Sequence, residues 1–360
     1  MSPIAVIVLI FSLLGAVDYL LKNRFGIGKE FEKAFSLFGP MALSMLGMIV
    51  IAPAVGVWLT PAFEAFYETF GIDPSIIPAS LFANDMGGTS LALSISKSEL
   101  MGNFNAYVVS SMMGCIISFT IPFSLGLVKQ DQHRELFLGF LCGIVTIPTG
   151  CFAAGLMCGI SPLPLLLNLL PLVILSVLVG AALLLIPKVC IKCFVWFGGA
   201  IKLLSIGGLV CAVFTFLTKI PISPHFDSLE NAAFVCANAC VTLSGMLPAM
   251  YIVAKLLDKP LGKGGALLGI NAVSALGFLG CLVTNATTFG VMDRMDKKGT
   301  VLNAAFAVSA AFALGGHLAF TMAYDAAYIL PMVVGKLISG VCAVLLALLV
   351  YRKQGKEQEA

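Results

Sequence analysis

Charge is the scarcest property of this sequence. Only 11% of its 360 residues are Asp, Glu, Lys or Arg, whereas 59% are hydrophobic, and the mean hydropathy is +1.03. Because a soluble domain carries about 25% charged residues, the composition excludes a soluble globular protein. The long apolar runs also exclude a membrane β-barrel, whose strands would alternate apolar and polar residues. The sequence therefore predicts an all-α polytopic membrane protein.

The motifs of several other classes of protein are missing. The net charge of +3 is too small to indicate nucleic-acid binding. The chain has no phosphate-binding loop, nucleophile–base pair or metal cluster, so it is predicted to be no enzyme and to use no cofactor or metal. Its 11 cysteines are scattered through apolar runs, which indicates small apolar side chains rather than disulfides or a zinc site. No basic stretch precedes the first apolar run, which is therefore a span rather than a signal peptide.

The apolar runs define the predicted membrane spans. A transmembrane helix needs about 20 apolar residues. Two stretches, 75–96 and 264–290, are long enough to cross but are rich in Gly, Ser, Thr, Asn and Pro. They are either re-entrant hairpins or full spans. The nine other predicted spans are residues 2–21, 35–59, 103–128, 136–158, 162–187, 193–218, 229–254, 301–323 and 327–350.

The positions of the positive charges favour hairpins. If both polar stretches are re-entrant, 17 of the 21 Lys and Arg residues fall on one side of the membrane. Lys97 and Lys219 then fall on the other side, and Lys202 and Lys336 lie within spans. Because cytoplasmic loops carry an excess of Lys and Arg, this asymmetry predicts nine spans, two hairpins and a cytoplasmic C-terminus. If both stretches cross, the chain has eleven spans and a weaker bias.

An internal repeat follows from this topology. The chain contains the same order of segments twice: a plain span, a polar broken segment and two further spans. In both copies the span that follows the broken segment opens with Asn-Ala, at Asn105 and at Asn303. One extra span separates the copies, so they are predicted to have opposite orientations. Inverted repeats with broken segments are typical of secondary transporters, whose substrate site lies where these segments meet. The predicted single transporter domain, 1–360, comprises a first repeat at about 1–160, a linking span at 162–187, a second repeat at about 193–350 and a tail at 351–360.

The first polar stretch contains an acid at membrane depth. Asn84 and Asp85 lie just before a pair of glycines, which permit an irregular backbone. A carboxylate at this depth costs about 2.5–3.5 kcal/mol on insertion scales, so it is a candidate functional group. We predict that Asp85, with Asn84 beside it, binds a cationic substrate or a coupling ion. The alternative is a structural partner for Lys202 or Lys336, or a cap for the second half of the hairpin.

The second polar stretch offers uncharged groups. Thr284, Asn285 and Thr288 carry hydroxyl and amide groups that suit a substrate hydroxyl, since a buried polar lining rejects analogues that leave it unpaired. They could instead satisfy the backbone of a kinked helix. Asn105 and Asn303 are predicted either to cap their helices or to line the substrate path.

Three further features leave alternatives open. His317 could sense pH or relay a proton, or it could simply be hydrogen-bonded. Lys336 could pair with Asp85 or Asp325. The small residues at 139–143 form a face that packs helices, either within one chain or in a homo-oligomer.

Four motifs lie at residues 85–88, 143–148, 305–315 and 331–338. Together they resemble motifs of the ethanolamine utilisation permease (EutH) family. They occur in the same order, and the similarity extends over nearly the whole chain. The resemblance implies an integral membrane carrier, encoded with ethanolamine-degradation enzymes, that takes up ethanolamine when the external supply is low or acidic. The chain departs from the family at Gly316, just before His317, where family members carry an acid. Because that acid is missing here, Asp85 becomes more important as the predicted cation site.

Protonated ethanolamine fits the groups that the sequence offers. It is a small cation with a hydroxyl, for which a carboxylate with amide and hydroxyl groups forms a sufficient site. We predict import across the inner (cytoplasmic) membrane by facilitated diffusion, with the membrane potential favouring the inward movement of the cation by about 2.3 kcal/mol per 100 mV. One alternative is sodium- or proton-coupled symport of ethanolamine or another small amine, with Asp85 holding the ion. An intramembrane enzyme acting on lipid headgroups and a structural membrane anchor are the alternatives from other classes.

Overall fold

The fold was analysed in a computed structural model, which describes residues 3–359 without the side chains of Asp258 and of residues 353–359. Within this range all regular structure is helical. Eight helical segments are long and apolar enough to cross a membrane, and they match eight of the nine predicted spans. The predicted all-α polytopic class is therefore confirmed.

Short turns separate the helices. α6 and α7 are joined by wide, π-type helical turns at Asn105–Gly114 and Ile116–Thr120, so that residues 99–127 form one segment. The helices are α1 (Pro3–Leu20), α2 (Ile27–Ser36), α3 (Phe38–Phe70), α4 (Ile76–Leu81), α5 (Gly88–Ile95), α6 (Glu99–Phe104), α7 (Ile121–Leu127), α8 (His133–Met157), α9 (Pro162–Leu185), α10 (Pro187–Thr218), α11 (Leu229–Leu268), α12 (Ala272–Val283), α13 (Asn285–Phe289), α14 (Lys297–Ala310), α15 (Gly316–Tyr324) and α16 (Ile329–Glu359).

The predicted span 301–323 is not one continuous helix. α14 ends at Ala310 and α15 begins at Gly316. Between them Phe312 has a φ of 60°, which is uncommon for a residue with a side chain. The backbone N–H groups of Phe312 and Leu314 donate to carbonyls near the end of α12. This break is tolerated because α12 supplies the hydrogen bonds that the helix loses.

The stretch 75–96 forms a hairpin, named hairpin 1. It consists of α4, a short 3₁₀ turn at Asn84–Met86, and α5. Asp73 accepts hydrogen bonds from Ser75 at one end of the hairpin and from the backbone N–H groups of Lys97 and Ser98 at the other. Because one carboxylate binds both ends, they lie side by side, as a re-entrant segment requires.

A second hairpin, hairpin 2, spans 271–296 and contains α12 and α13. The Asp296 carboxylate accepts hydrogen bonds from Asn271, Ser274 and Gly299, so its ends also meet. Burial alone would raise the pKa of Asp296, but these hydrogen bonds hold it below its usual range. The predicted start at residue 264 is wrong, because residues 264–268 continue α11 before the chain bends by 116° into α12.

Glycines let the central helices approach closely. A Cβ atom at Gly139 would clash with Ala304 of α14, and one at Gly150 would clash with the Gly335 carbonyl of α16. α8 therefore lies directly against both helices. The small face at 139–143 packs within the chain, and a homo-oligomer stays a prediction.

The two predicted repeats contain their elements in the same order. α3, hairpin 1, α6–α7 and α8 correspond to α11, hairpin 2, α14–α15 and α16. Two ion pairs join connections that the charge pattern assigns to the same side, Lys97 with Glu64 at 2.8 Å and Lys129 with Asp293 at 3.0 Å. The opposite orientation of the two copies stays a prediction.

Candidate functional site

The tip of hairpin 1 presents Asp85. The Asn84 amide oxygen accepts a hydrogen bond from the Asp85 backbone N–H at 3.0 Å, which fixes the short 3₁₀ turn. Gly87 follows with a φ of 94°, a conformation that favours glycine, and a Cβ there would also meet the side chain of Met48. The tip packs between α3 and α15. The sequence therefore holds Asp85 on a rigid turn between two helices.

The Asp85 carboxylate forms no ion pair in this structure. Asp85 is partly exposed although Asn84 and Thr89 around it are fully buried, so its open side faces a space that a water molecule can enter. The carboxylate contacts its own backbone N–H. Within the part of the chain that the structure describes, no other residue donates a hydrogen bond to it or forms an ion pair with it. A carboxylate in such surroundings is stabilised by a cation.

Each hairpin tip also carries an unsatisfied amide atom. Asn84 Nδ2 and Asn285 Oδ1 are buried and have no hydrogen-bond partner. The other amide atom of Asn285, Nδ2, donates to Thr120 Oγ1 at 3.0 Å. The two tips thus offer one free donor and one free acceptor, the pair of functions that an alcohol group needs.

Lys336 of α16 lies in the same buried region. Its ammonium donates to the backbone carbonyl of Ser111 and lies 3.2 Å from Nδ1 of His317. Lys336 and His317 are both fully buried. The charge of Lys336 acts on Asp85, and Cys115 lies within electrostatic reach of both.

The suggested pairing of Asp85 with Lys336 or Lys202 is not formed in this structure. The ion pairs among the described side chains involve neither Lys336 nor Lys202, and Lys202 is exposed on α10. The suggested pairing of Lys336 with Asp325 is wrong for the same reason. The break before α15 brings His317 inward, where it provides a neutral partner for the lysine.

Asn105 and Asn303 lie at the bases of the hairpins rather than at their tips. Asn105 Nδ2 donates to Ser75 Oγ, and Asn303 Nδ2 donates to the carbonyl of Ser274. Neither residue caps its helix, because Ser98 caps α6 and Asp296 caps α14. The capping prediction is therefore wrong. Each Asn instead braces a hairpin through a contact that is distant in sequence.

The threonines of hairpin 2 are engaged with the backbone. Thr284 caps α13 by accepting a hydrogen bond from the N–H of Ala286. The hydroxyl of Thr288 donates to the carbonyl of Gly277 at 2.7 Å. Of the residues predicted for this tip, Asn285 alone has a buried side-chain atom without a partner, so it is the strongest candidate for contacting a ligand.

Sequence reasoning missed an aromatic group above the tip. The hydroxyl of Tyr324, at the end of α15, lies 3.0 Å from Ser90 Oγ in hairpin 1. The Tyr107 ring lies 6.4 Å from the Tyr324 ring and 5.1 Å from that of Tyr328. Aromatic faces attract ammonium groups. The signal that could have found this group is the pair of tyrosines at 324 and 328, four residues apart.

A family model and several known proteins match nearly the whole chain. The model of a family described as "Ethanolamine utilisation protein, EutH" matches residues 2–350. A Listeria monocytogenes protein named "Probable ethanolamine permease EutH" is 37% identical over 354 residues, covering 98% of this chain and 95% of that protein. A Salmonella typhimurium protein of the same name is 36% identical over 390 residues, covering 98% and 96%. The "Uncharacterized protein YxeR" of Bacillus subtilis is 33% identical over 349 residues, covering 97% and 94%. No solved structure has significant similarity to the chain.

Proposed function

Because the chain belongs to the EutH family of ethanolamine utilisation proteins, we propose that it carries ethanolamine, in its protonated form, across a membrane. The observation that carries this proposal is the partly exposed Asp85 carboxylate, which forms no ion pair with any described residue. A free carboxylate at the tip of a broken segment is the group that a small cation needs.

The unpaired groups at the two hairpin tips suit an amino alcohol, provided that the tips meet at one ligand. The ammonium binds the Asp85 carboxylate, and the hydroxyl exchanges hydrogen bonds with Asn285 Oδ1 and Asn84 Nδ2, which have no other partners. A ligand that lacks the hydroxyl would leave these buried amide atoms unpaired, and such a loss costs about 1–3 kcal/mol per group. The site therefore favours ethanolamine over a simple alkylamine.

Transport proceeds by alternating access in this proposal. The two hairpins approach the centre from opposite sides, and the cation moves inward through the cytoplasmic (inner) membrane by facilitated diffusion. Each 100 mV of membrane potential favours this movement by about 2.3 kcal/mol per charge. In a sodium- or proton-coupled symporter, Asp85 would hold the coupling ion instead. The permease names of the relatives favour a carrier over a lipid-headgroup enzyme.

Labelled ethanolamine uptake into liposomes that contain the purified protein tests the proposal. Four conditions are compared: no gradient, an imposed potential, a sodium gradient and a proton gradient. We expect uptake that follows the ethanolamine gradient and is increased by a negative interior. Accumulation that requires sodium or protons would establish symport. No uptake beyond that of protein-free liposomes under any condition would refute transport of ethanolamine.

A further inference from the structure

We propose that Lys336 is the resident counter-charge for Asp85 in the empty carrier and thereby allows the carrier to return without cargo. This inference rests on the proposed transport function and adds a step to it. Lys336 would act in the return step without contacting the substrate. The substrate itself is held by Asp85 and by the side-chain amides of Asn84 and Asn285.

The surroundings of Lys336 leave its ammonium without a fixed ionic partner. The side chain is fully buried, yet its two contacts, the Ser111 carbonyl and the His317 ring, are both formally neutral. The thiols of Cys115, Cys151 and Cys281 lie within electrostatic reach of the ammonium. A buried ammonium is costly unless a counter-charge is close, so a partner for this lysine is to be expected.

Asp85 is the carboxylate that acts on Lys336. The tip of hairpin 1 contacts the π-type turn at Asn105–Gly114, and that turn contacts α16. Lysine has a compact charge on a flexible four-carbon stem. A change of side-chain conformation, together with a small movement of the tip, would therefore bring the ammonium to the carboxylate.

The transport cycle needs such a movement. In the observed state Asp85 is partly exposed and Lys336 binds Ser111 and His317, so solvent or a substrate ammonium can reach the carboxylate. When the site closes, water is removed and an unpaired carboxylate becomes costly. The substrate ammonium neutralises Asp85 in the loaded carrier, and Lys336 takes that place in the empty one.

This role separates two transport modes. Net uptake requires the empty carrier to return, whereas exchange of internal for external ethanolamine uses the loaded carrier in both directions. Replacing Lys336 by a neutral residue should therefore convert the protein into an exchanger. We expect K336M to lower net uptake by on the order of a hundredfold, from the typical effect of breaking a buried ion pair, while exchange stays close to the wild-type rate.

The experiment measures both modes in proteoliposomes under the same conditions. Net uptake starts from empty vesicles, and exchange starts from vesicles loaded with unlabelled ethanolamine. K336M and K336Q are made in parallel, so that one neutral variant is available if the other misfolds, and K336R should restore part of the net uptake. K202M is the matched control, because Lys202 lies in a predicted span but is exposed on α10; it should leave both modes unchanged.

The outcomes distinguish a failure of the role given to Lys336 from a failure of the proposed transport function. Loss of net uptake with retained exchange supports the role of Lys336. Wild-type net uptake in a neutral variant overturns it, and so does equal loss of both modes in a variant that folds. If the wild-type protein shows neither uptake nor exchange, the proposed function itself fails.

Discussion

At the scale of single residues, the fold treats its buried acids differently. The Asp18 carboxylate accepts hydrogen bonds from the N–H groups of Phe25 and Gly28, and Asp73 closes hairpin 1. Both acids are buried and paired with backbone donors. No other described residue donates a hydrogen bond to the Asp85 carboxylate, so its charge can pair with a ligand. This contrast is the physical reason to assign the binding role to Asp85 and structural roles to the other two acids.

Replacing Asp85 by Asn tests this assignment directly. D85N keeps the size of the side chain but removes the charge that pairs with the ammonium. We expect ethanolamine uptake to fall by at least about a hundredfold, as when one partner of a buried charged contact is lost. Uptake by proteoliposomes is the measurement. D131N is the matched control, because Asp131 is exposed on the surface. Normal uptake by folded D85N would contradict the counter-charge role.

The sequence could reveal Asp85 but not its surroundings. A lone carboxylate in an apolar stretch is visible in the sequence because its insertion is unfavourable. Lys336 is equally visible, but its contacts with Ser111 and His317 join residues 225 and 19 positions away. Local rules suggest a cap or a path-lining role for Asn105, whereas its hydrogen-bond partner Ser75 lies 30 residues away. Roles that depend on distant contacts could not be read from spacing.

At the scale of elements, the two hairpins are the main feature that the sequence predicted. Their polar composition and the charge asymmetry both indicated segments that return to the side from which they start. The closures by Asp73 and Asp296 supply the structural evidence for this. The start of the second hairpin was misplaced because residues 264–268 are compatible with a helix and extend α11.

The closure of hairpin 2 should contribute measurably to stability. D296A removes the cap of α14 and the acceptor for Asn271 and Ser274. We expect a destabilisation of about 2 kcal/mol, the sum of a lost cap and an unpaired donor, seen as a lower melting temperature in detergent. D293A is the control three residues away, where the carboxylate is exposed and pairs with Lys129 on the surface. Equal shifts in both variants would argue against a specific closure.

The pH dependence of this closure has a definite sign. The hydrogen bonds lower the pKa of Asp296 in the folded protein, so the folded state favours the ionised carboxylate. The contribution to stability is therefore present above the unfolded-state pKa of about 4 and is lost as the pH falls through the lower folded-state value. The difference in melting temperature between wild type and D296A should shrink below about pH 4. A difference that grows there would have the wrong sign.

At the scale of the whole molecule, hydropathy and charge account for most of the architecture. Eight predicted spans correspond to continuous helical segments, because span length is set by the thickness of the bilayer. The ninth, 301–323, is divided at Phe312. Its apolar composition gives no sign of the break. The lost helical hydrogen bonds are replaced by hydrogen bonds to carbonyls of α12, which is distant in sequence.

The topology itself leads to a paired labelling experiment. In each hairpin both flanks lie on the same side of the membrane, whereas a full crossing would place them on opposite sides. Single cysteines are placed on both flanks of each hairpin, at Glu68 and Lys97 for hairpin 1 and at Lys263 and Lys297 for hairpin 2. All four positions are accessible to a reagent, because Glu68, Lys263 and Lys297 are exposed and Lys97 forms a surface ion pair. The single cysteines are introduced into a variant whose 11 native cysteines are replaced and which retains uptake.

An impermeant maleimide should label the first pair in intact cells and the second pair only after permeabilisation. Glu68 and Lys263 act as internal controls, because each lies on its assigned side whether or not the following hairpin crosses. Labelling of Lys97 from the cytoplasm alone would mean that hairpin 1 spans the membrane, although the Asp73 carboxylate binds both of its ends. The tip of hairpin 1 would then lose its position at the centre, and with it the argument that assigns the cation to Asp85. The labelling pattern thus tests the geometric premise of the transport proposal independently of any uptake measurement.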